Sequence, residues 1–413
     1  MNLLKTSFYT SISTAISFIS GFIVTKVVAV KIGPSGMAYV GQFQNTTAIL
    51  TMLATGAIAM GVVKYLAEHK EDAAKRQQII NTSFIIVFFS SLIFSLFVMS
   101  ASGYLSRAAF KTVDFWMVYF SFGILLMVIS FNVIFSAILN GLKQIRKFTI
   151  VNICNSLIGI TITVLFAYLF GMVGVLFSTI ITSLIIFFVN IYFFNKLNIK
   201  WKPNFKGWDK GTVKLLSRYS LMTLVAGFLA PAAQILIRNK IIVDLSIGDA
   251  GYWQAVTKVS DAYLGFITTV LVVYYMPRLS EIQSKSELRN EIFKGYKIIL
   301  PVVGTLAFLI WLFKNIIIHI LFTPEFLPMK SLFTFQLIGD FIKIGSWLLT
   351  YVIIAKALTK TYMITEFIFT VSYVALSYFL INRFGLIGTT YAFAINYALY
   401  WIFITIIVRK HII

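Results

Sequence analysis

Two sets of polar side chains lie inside stretches apolar enough to cross a lipid bilayer, and in each set the spacing selects one helical face. Within residues 251–281, Gln254, Lys258 and Asp261 recur at offsets of four and seven, with Gly265 one turn further. Gln336, Asp340 and Lys343 repeat those offsets with the two charge signs exchanged. A charge inside a spanning helix is costly, so such a face turns to a protein or water-filled interior rather than to lipid. Chemically, a carboxylate beside lysines can bind and release a proton, and a lysine freed from it can hold an anion. Lys258/Asp261 and Asp340/Lys343 are also i,i+3 pairs, so neutralisation within one helix is the plain alternative. At about 1.5 Å per residue these groups lie roughly 10–18 Å from the outer ends of their spans, so their depths match.

Other polar groups fall near the same depth. Lys26 and Arg238 sit close enough to the outer interface to snorkel, and if they turn inward they add two cations to the interior. Glu366 lies about one turn inside its span, where it can pair, cap or serve as a further coupling carboxylate. Gln42, Gln44, Asn45, Asn152, Asn155 and Gln234, with Gln254 and Gln336, can hydrogen-bond sugar hydroxyls or simply join helices to one another. Gly227 and Pro231 can bend the helix that contains Gln234.

The elements that must position these groups follow from composition. The 413 residues are 59% hydrophobic and only 12% charged, with a mean hydropathy of +0.90. A soluble domain has about 25% charged residues, so the chain reads as a polytopic membrane protein. Repeated apolar runs of about 20 residues specify α-helical spans, because an open sheet edge goes unsatisfied in lipid. The single cysteine, Cys154, excludes an intramolecular disulfide, and the three histidines lie far apart, so no metal or catalytic cluster is expected. The first apolar run has no small-residue cleavage site after it and reads as a retained helix.

Twelve spans are expected: 8–30, 36–63, 79–101, 115–140, 149–170, 173–195, 215–238, 251–276, 296–322, 331–356, 361–382 and 385–408. Alternating the connections between the two sides puts 24 of the 35 Lys and Arg on the side holding both termini and 7 on the other. That bias places the termini in the cytoplasm. It also explains the net charge of +21 as topogenic rather than nucleic-acid binding. Outer connections are short, leaving no outer domain for chemistry. The longest connection, residues 196–214, interleaves Lys with Trp201, Phe205 and Trp208, as suits a segment on an anionic inner leaflet. It divides the chain into residues 1–195, the linker 196–214, and residues 215–413.

An internal repeat supports that division. At an offset of 213 residues, Tyr39 aligns with Tyr252, Leu66 with Leu279, Glu68 with Glu281, and Arg76 with Arg289. Two halves of six spans keep the same orientation, which specifies a parallel repeat about the membrane normal.

Three stretches then resemble a known family. KTSFYTSISTAISFISGFIVTKVVAVKIGPSGMAYVGQF (5–43), SDAYLGFITTVLVVYYMPRLSE (260–281) and FQLIGDFIKIGSWLLTYVIIAKA (335–357) resemble the Wzx-type flippases of the multidrug/oligosaccharidyl-lipid/polysaccharide exporter superfamily. The last places Asp340 and Lys343 in a family-like Gly-Asp-x-x-Lys setting. The resemblance implies an all-α membrane protein with two six-helix bundles around a central cavity, in a bacterial inner membrane. It implies transfer of undecaprenyl-pyrophosphate oligosaccharide to the periplasmic leaflet for O-antigen or a related surface polysaccharide. Polymerase and chain-length regulator proteins are the implied partners, and no nucleic acid is. With that substrate, Lys26, Arg238, Lys258 and Lys343 are the candidate pyrophosphate cations, since charge contacts gain strength in a low dielectric. Asp261, Asp340 and Glu366 are the candidates for ion coupling, and Gln42, Asn45, Gln234, Gln254 and Gln336 those for sugar contacts. Without a nucleotide-binding loop, energy comes from a proton or sodium gradient or from downstream consumption of product.

Two rival classes stand beside this reading. A multidrug antiporter of the same superfamily shares the fold, but cationic drugs favour acidic cavities, and the intramembrane cations here do not match. A membrane polymerase or glycosyltransferase needs a constellation of carboxylate, Arg or His in sizeable loops, which the outer connections lack. A lipid-binding scaffold that transports nothing is the third possibility.

Overall fold

The computed structural model describes residues 3–197 and 208–411, and within these the chain is helical with short connections and no strand. The reason lies in local sequence: apolar runs are broken only where Gly or Pro changes the backbone. α1 (Leu3–Ala54) is interrupted at Gly33, whose φ of 75° and ψ of −164° lie in a region almost confined to glycine. Pro34 follows it and starts the next helical segment, a position where its missing N–H is no loss. After α1 come α2 (Ala59–Glu68), α3 (Ala73–Ser100), the short α4 (Ser102–Phe110) and α5 (Trp116–Gly141). α6 (Ile145–Asn195) is interrupted at Gly171, with φ 57° and ψ −134°, so the reversal there takes a single residue. α7 (Lys210–Asp244) contains Pro231.

The second part of the chain repeats this order. α8 (Ile247–Val270) runs through a π-helical turn, Leu271–Tyr275, into α9 (Met276–Glu281). Then come α10 (Lys285–Leu312), the short α11 (Lys314–Leu321), a 3₁₀ segment Pro324–Leu332, α12 (Phe333–Ala355), α13 (Thr359–Phe384) and α14 (Gly388–His411). The breaks recur too: Gly385 between α13 and α14 has φ 63°, close to the 57° of Gly171 inside α6. Pro34 and Ile247 start equivalent segments at the offset of 213 found among the sequence pairs, and Glu68 and Glu281 end them.

Among the described residues, eight stretches are long and apolar enough to cross a membrane, against the twelve spans expected. Three of the eight, with 43, 51 and 52 residues, run on through the breaks at Gly33, Gly171 and Gly385, and each exceeds the ~20 residues of one crossing. α8 is not among them, and it contains Asp249, Lys258 and Asp261. Exposed Ile93, Leu96, Phe170, Ile402 and Ile406 suit a lipid-facing surface. The molecule is an all-α, multi-pass membrane protein.

Two compact units partition the chain, Met1–Lys31 with Gln42–Pro231 and Ile32–Gly41 with Ala232–Ile413. In the first, Ile58, Val62, Leu66, Ile80, Ile134 and Ile138 form the core. Phe84, Phe135 and Phe194 meet there edge to face at 5.0–5.7 Å between centroids. In the second, Leu271, Leu279, Val303, Ile344, Leu348 and Ile404 do the same. Here α12 lies tightly against α14, because Gly339 and Gly345 leave room for Phe393 and Trp401. The linker residues 198–207, including Trp201 and Phe205, lie outside the described residues. At its far end Asp209 caps α7, accepting from the Thr212 amide at 2.8 Å and hydroxyl at 2.7 Å, and lies 3.6 Å from Lys75 of α3.

Candidate functional site

In the second unit the polar stripe of α12 resolves into specific contacts around Asp340. Its side chain is fully buried. Tyr263 Oη donates to it at 2.9 Å and Gln336 Nε2 at 3.2 Å, and the Ser260 side chain hydrogen-bonds it as well. Three donors around one carboxylate satisfy a charge that would otherwise be prohibitive at this depth. The partners from α8 are therefore Ser260 and Tyr263 rather than Lys258 and Asp261. They too stand at i,i+3, in the segment SDAYLG, and that spacing was the available signal.

Lys343 is not held by Asp340, since among the described residues no ion pair joins them within 4 Å. Its ammonium instead lies over three rings, 4.8 Å from Trp347, 5.6 Å from Phe393 and 5.5 Å from Tyr397. Such a cage stabilises a cation through the ring quadrupoles while leaving it free of a fixed counter-ion. On the far side of Tyr397 stands Tyr400, which donates to Glu366 at 3.4 Å and shares a 3.0 Å hydrogen bond with Thr350. Glu366 lies two turns into α13, deeper than the one turn expected, because the helix begins at Thr359. Tyr397 and Tyr400 of α14, with ring centroids 6.3 Å apart, thus connect caged Lys343 to Glu366, while Tyr263 of α8 holds Asp340.

A second cluster in this unit contains Arg238. It is fully buried and does not snorkel. Its guanidinium donates to Gln254, approaches Gln234 at 3.4 Å and lies 5.4 Å from the Trp253 ring. The close approach needs Gly41, where a Cβ would fall 2.4 Å from Gln254 Oε1. So three sequence candidates, Arg238, Gln234 and Gln254, form one group. Lys258 is half-buried within electrostatic reach of Asp261 and Arg238, and Asp261 is exposed.

The first unit contains a cavity of about 520 Å³ with a hydroxyl-rich wall. Gln44, Thr47 and Thr51 line it from α1, Thr55 from the turn just after it, Thr179 and Ser183 from α6, and Thr223 from α7. Several of these hydroxyls donate to carbonyls of their own helix: Thr47 to Phe43 O at 2.7 Å, Thr55 to Met52 O at 2.8 Å, and Thr179 to Leu176 O at 2.9 Å. Their protons being used, the lone pairs remain as acceptors. Phe43, Phe122, Ile129 and Val133 supply apolar surface beside them. Of the sugar-contact candidates here, Gln42 is fully buried, Asn45 is half-buried, and neither lines the cavity. The threonines escaped the sequence reading, although Thr47, Thr51 and Thr55 recur every four residues. Lys26 is half-buried in this unit, away from the cavity lining.

The comparison that decides the family is with sequences. Residues 3–283 match the family described as polysaccharide biosynthesis protein. The chain belongs to that family. A relative, the Lipid III flippase of Escherichia coli strain K12, is 30% identical over 403 residues, 97% of each chain, and the Lipid III flippase of Shigella flexneri matches equally. Among solved structures, an inward-facing multidrug resistance MATE family transporter of the MOP superfamily superposes with a TM-score of 0.83 at 15% identity, over 96% of this chain and 94% of that one. A MOP superfamily transporter from Pyrococcus furiosus superposes with a TM-score of 0.64 at 15% identity, over 97% and 95%. This member of the family therefore has the MOP transporter fold, as the resemblance of its three stretches implied. That match to the family ends within the α9–α10 connection, whereas Asp340, Lys343 and Glu366 lie beyond it, in the part covered by the flippase relatives.

Proposed function

We propose that the protein is a transporter that moves an undecaprenyl-pyrophosphate-linked oligosaccharide from the cytoplasmic to the periplasmic leaflet of a bacterial inner membrane. The single observation behind the reading is the near end-to-end relationship to Lipid III flippases. The site chemistry is consistent with it. An oligosaccharide needs many hydrogen-bond acceptors beside apolar surface, and the first unit's cavity offers threonine and serine lone pairs next to aromatic and aliphatic walls. A pyrophosphate needs cations at low dielectric. Lys258, half-buried with Arg238 nearby, is best placed for this role, while Arg238 orients Gln254. Both termini lie in the cytoplasm by the Lys/Arg bias. Surface polysaccharide assembly of the O-antigen type is the pathway class, with polymerase and chain-length regulator proteins downstream.

Coupling to an ion gradient is assigned to Asp340. A fully buried carboxylate with three neutral donors can accept a proton or lose it with little rearrangement, and Lys343 stands one turn away without a fixed counter-ion. Glu366, reached through Tyr400, is the second carboxylate on that route. The drug-exporter alternative is not the better reading, because the near end-to-end relatives are Lipid III flippases and the unit also contains buried Arg238 and half-buried, caged Lys343.

The test uses purified protein in liposomes, with labelled undecaprenyl-pyrophosphate oligosaccharide in one leaflet and an imposed proton or sodium gradient. Wild type is expected to transfer the glycolipid, Lys258→Ala to lose affinity, and Asp340→Asn to lose the gradient response. Transfer of cationic drugs but of no glycolipid would overturn the proposal.

A further inference from the structure

A second cavity, of about 640 Å³, opens in the second unit between α10, α12 and α14, apart from the Asp340 and Arg238 clusters. Its two ends differ in chemistry. Arg289, near the start of α10, and Arg409, near the end of α14, stand at one end. Tyr296, Leu300, Leu349 and Trp401 line the other. At about 1.5 Å per residue, the arginines are some 12–16 Å along their helices from Trp401 and Leu300, so the slot runs well into the apolar layer. By the Lys/Arg bias the arginine end is cytoplasmic.

The polar atoms in the deep part are already engaged. Trp401 Nε1 donates to Tyr296 Oη at 3.0 Å, and Tyr296 Oη donates to Gly345 O at 3.0 Å. Thr405 Oγ1 donates to Trp401 O at 2.7 Å. What remains there for a ligand is apolar surface. The rim is the reverse. Nearby Arg278 is surrounded by Glu281, Glu287 and Glu291 at 2.9–3.9 Å. Among the described residues neither Arg289 nor Arg409 has a carboxylate within salt-bridge distance. The Arg289 guanidinium lies 5.8 Å from the Phe293 ring. Two exposed guanidiniums without acidic partners, above an apolar slot, are complementary to an anion attached to a hydrocarbon chain.

We infer that this cavity is a binding site for an anionic glycerophospholipid of the cytoplasmic leaflet, with its phosphate on Arg289 and Arg409 and one acyl chain against Tyr296, Leu300 and Trp401. The slot's volume falls within the usual range for small-molecule sites, about 300–1,000 Å³. Because Tyr296 also bonds the backbone of Gly345, where α12 meets α14, occupancy of the slot bears on the packing of the helix that contains Asp340 and Lys343.

Trp401 makes the site directly observable. The full chain in mixed micelles is titrated with phosphatidylglycerol brominated in its acyl chains, then with the equally brominated phosphatidylcholine. The quenching due to Trp401 is the difference between wild type and Trp401→Phe. Wild type is expected to be quenched by the anionic lipid at a roughly 30-fold lower mole fraction than by the zwitterionic one, from two surface cation contacts. In Arg289→Gln/Arg409→Gln the two lipids should quench alike, while quenching by phosphatidylcholine stays as in wild type and shows the slot intact. Equal quenching by both lipids in wild type, or an anionic preference that survives in the double variant, would overturn the assignment. So would displacement of the brominated phosphatidylglycerol by undecaprenyl phosphate at lower mole fraction than by unbrominated phosphatidylglycerol, which would make the carrier lipid the occupant. Flippase activity is not part of this readout, so the lipid site and the proposed transport stand or fall separately.

Discussion

Tyr263 and Asp340 should be energetically coupled, and the geometry sets how strongly. Tyr263→Phe deletes a 2.9 Å hydrogen bond to a fully buried carboxylate while keeping the ring. A hydrogen bond to a charged group contributes about 1.5–3 kcal/mol in soluble proteins. In bilayers the measured couplings are smaller, averaging about 0.6 and reaching about 1.7 kcal/mol, because the unfolded chain in the membrane finds other partners. Asp340 keeps Gln336 and Ser260 when Tyr263 is lost, so its charge is not stranded. The expected coupling is therefore about 0.6–1.7 kcal/mol. It is read from a double-mutant cycle of Tyr263→Phe and Asp340→Asn, using denaturant-driven unfolding in mixed micelles. The same four proteins are then compared in liposomes under an imposed proton gradient, where Tyr263→Phe should weaken the gradient response and Asp340→Asn abolish it. A coupling within about 0.3 kcal/mol of zero, inside the additivity error for independent sites, would mean that the bond does not position Asp340. A gradient response unchanged in Asp340→Asn would refute its role in coupling.

Three further outcomes follow from particular contacts. Gly251→Ala would put a Cβ 1.9 Å from the carbonyl oxygen of Pro34, a backbone atom that cannot swing aside. A loss of about 1–3 kcal/mol is expected in thermal melts, against no loss for Gly21→Ala, where nothing lies within 4 Å. Thr51→Val removes an acceptor from the first unit's cavity while preserving volume. It should slow glycolipid transfer by roughly three- to tenfold without changing the melting temperature, and an unchanged rate would remove that wall from the substrate path. At the start of α7, the Thr212 hydroxyl, then its amide, hold the Asp209 carboxyl below the usual carboxylate range, with Lys75 adding to the effect. A depressed folded-state pKa contributes stability that is complete above the unfolded value and lost as pH falls through the folded one. The difference in melting temperature between wild type and Thr212→Val should accordingly be full near neutrality and vanish on acidification below that range. A difference independent of pH would sink the assignment.

Much of the architecture was legible in the chain because lipid leaves few choices. Apolar runs must become helices, since backbone groups have no other partners in hydrocarbon. Gly33-Pro34, Gly171 and Gly385 break those helices because they provide the backbone angles that other residues avoid. Periodicity put Gln336, Asp340 and Lys343 on one face of α12, and the intramembrane charges marked that face as interior. The sequence likewise contains the family relationship from end to end.

What periodicity cannot state is which face of the neighbouring helix meets that stripe. Spacing along a helix determines relative directions within it, whereas the rotation and approach of two helices depend on side-chain volumes at their contact. Gly339 and Gly345 let α14 come close enough for Phe393, with Tyr397 of the same helix and Trp347 of α12, to enclose Lys343. The packing of α8 brings Ser260 and Tyr263, rather than Lys258 and Asp261, to Asp340. The same limit applies to Arg238, whose depth near a helix end allowed it to reach the interface. Only the space left by Gly41 and the position of Gln254 turn it inward. Thus the sequence by itself determined a helical membrane protein of this family and the helix faces that hold its charges. The tertiary structure alone decided which donors, rings and cations meet on those faces, because that choice is made by packing between residues far apart in the chain.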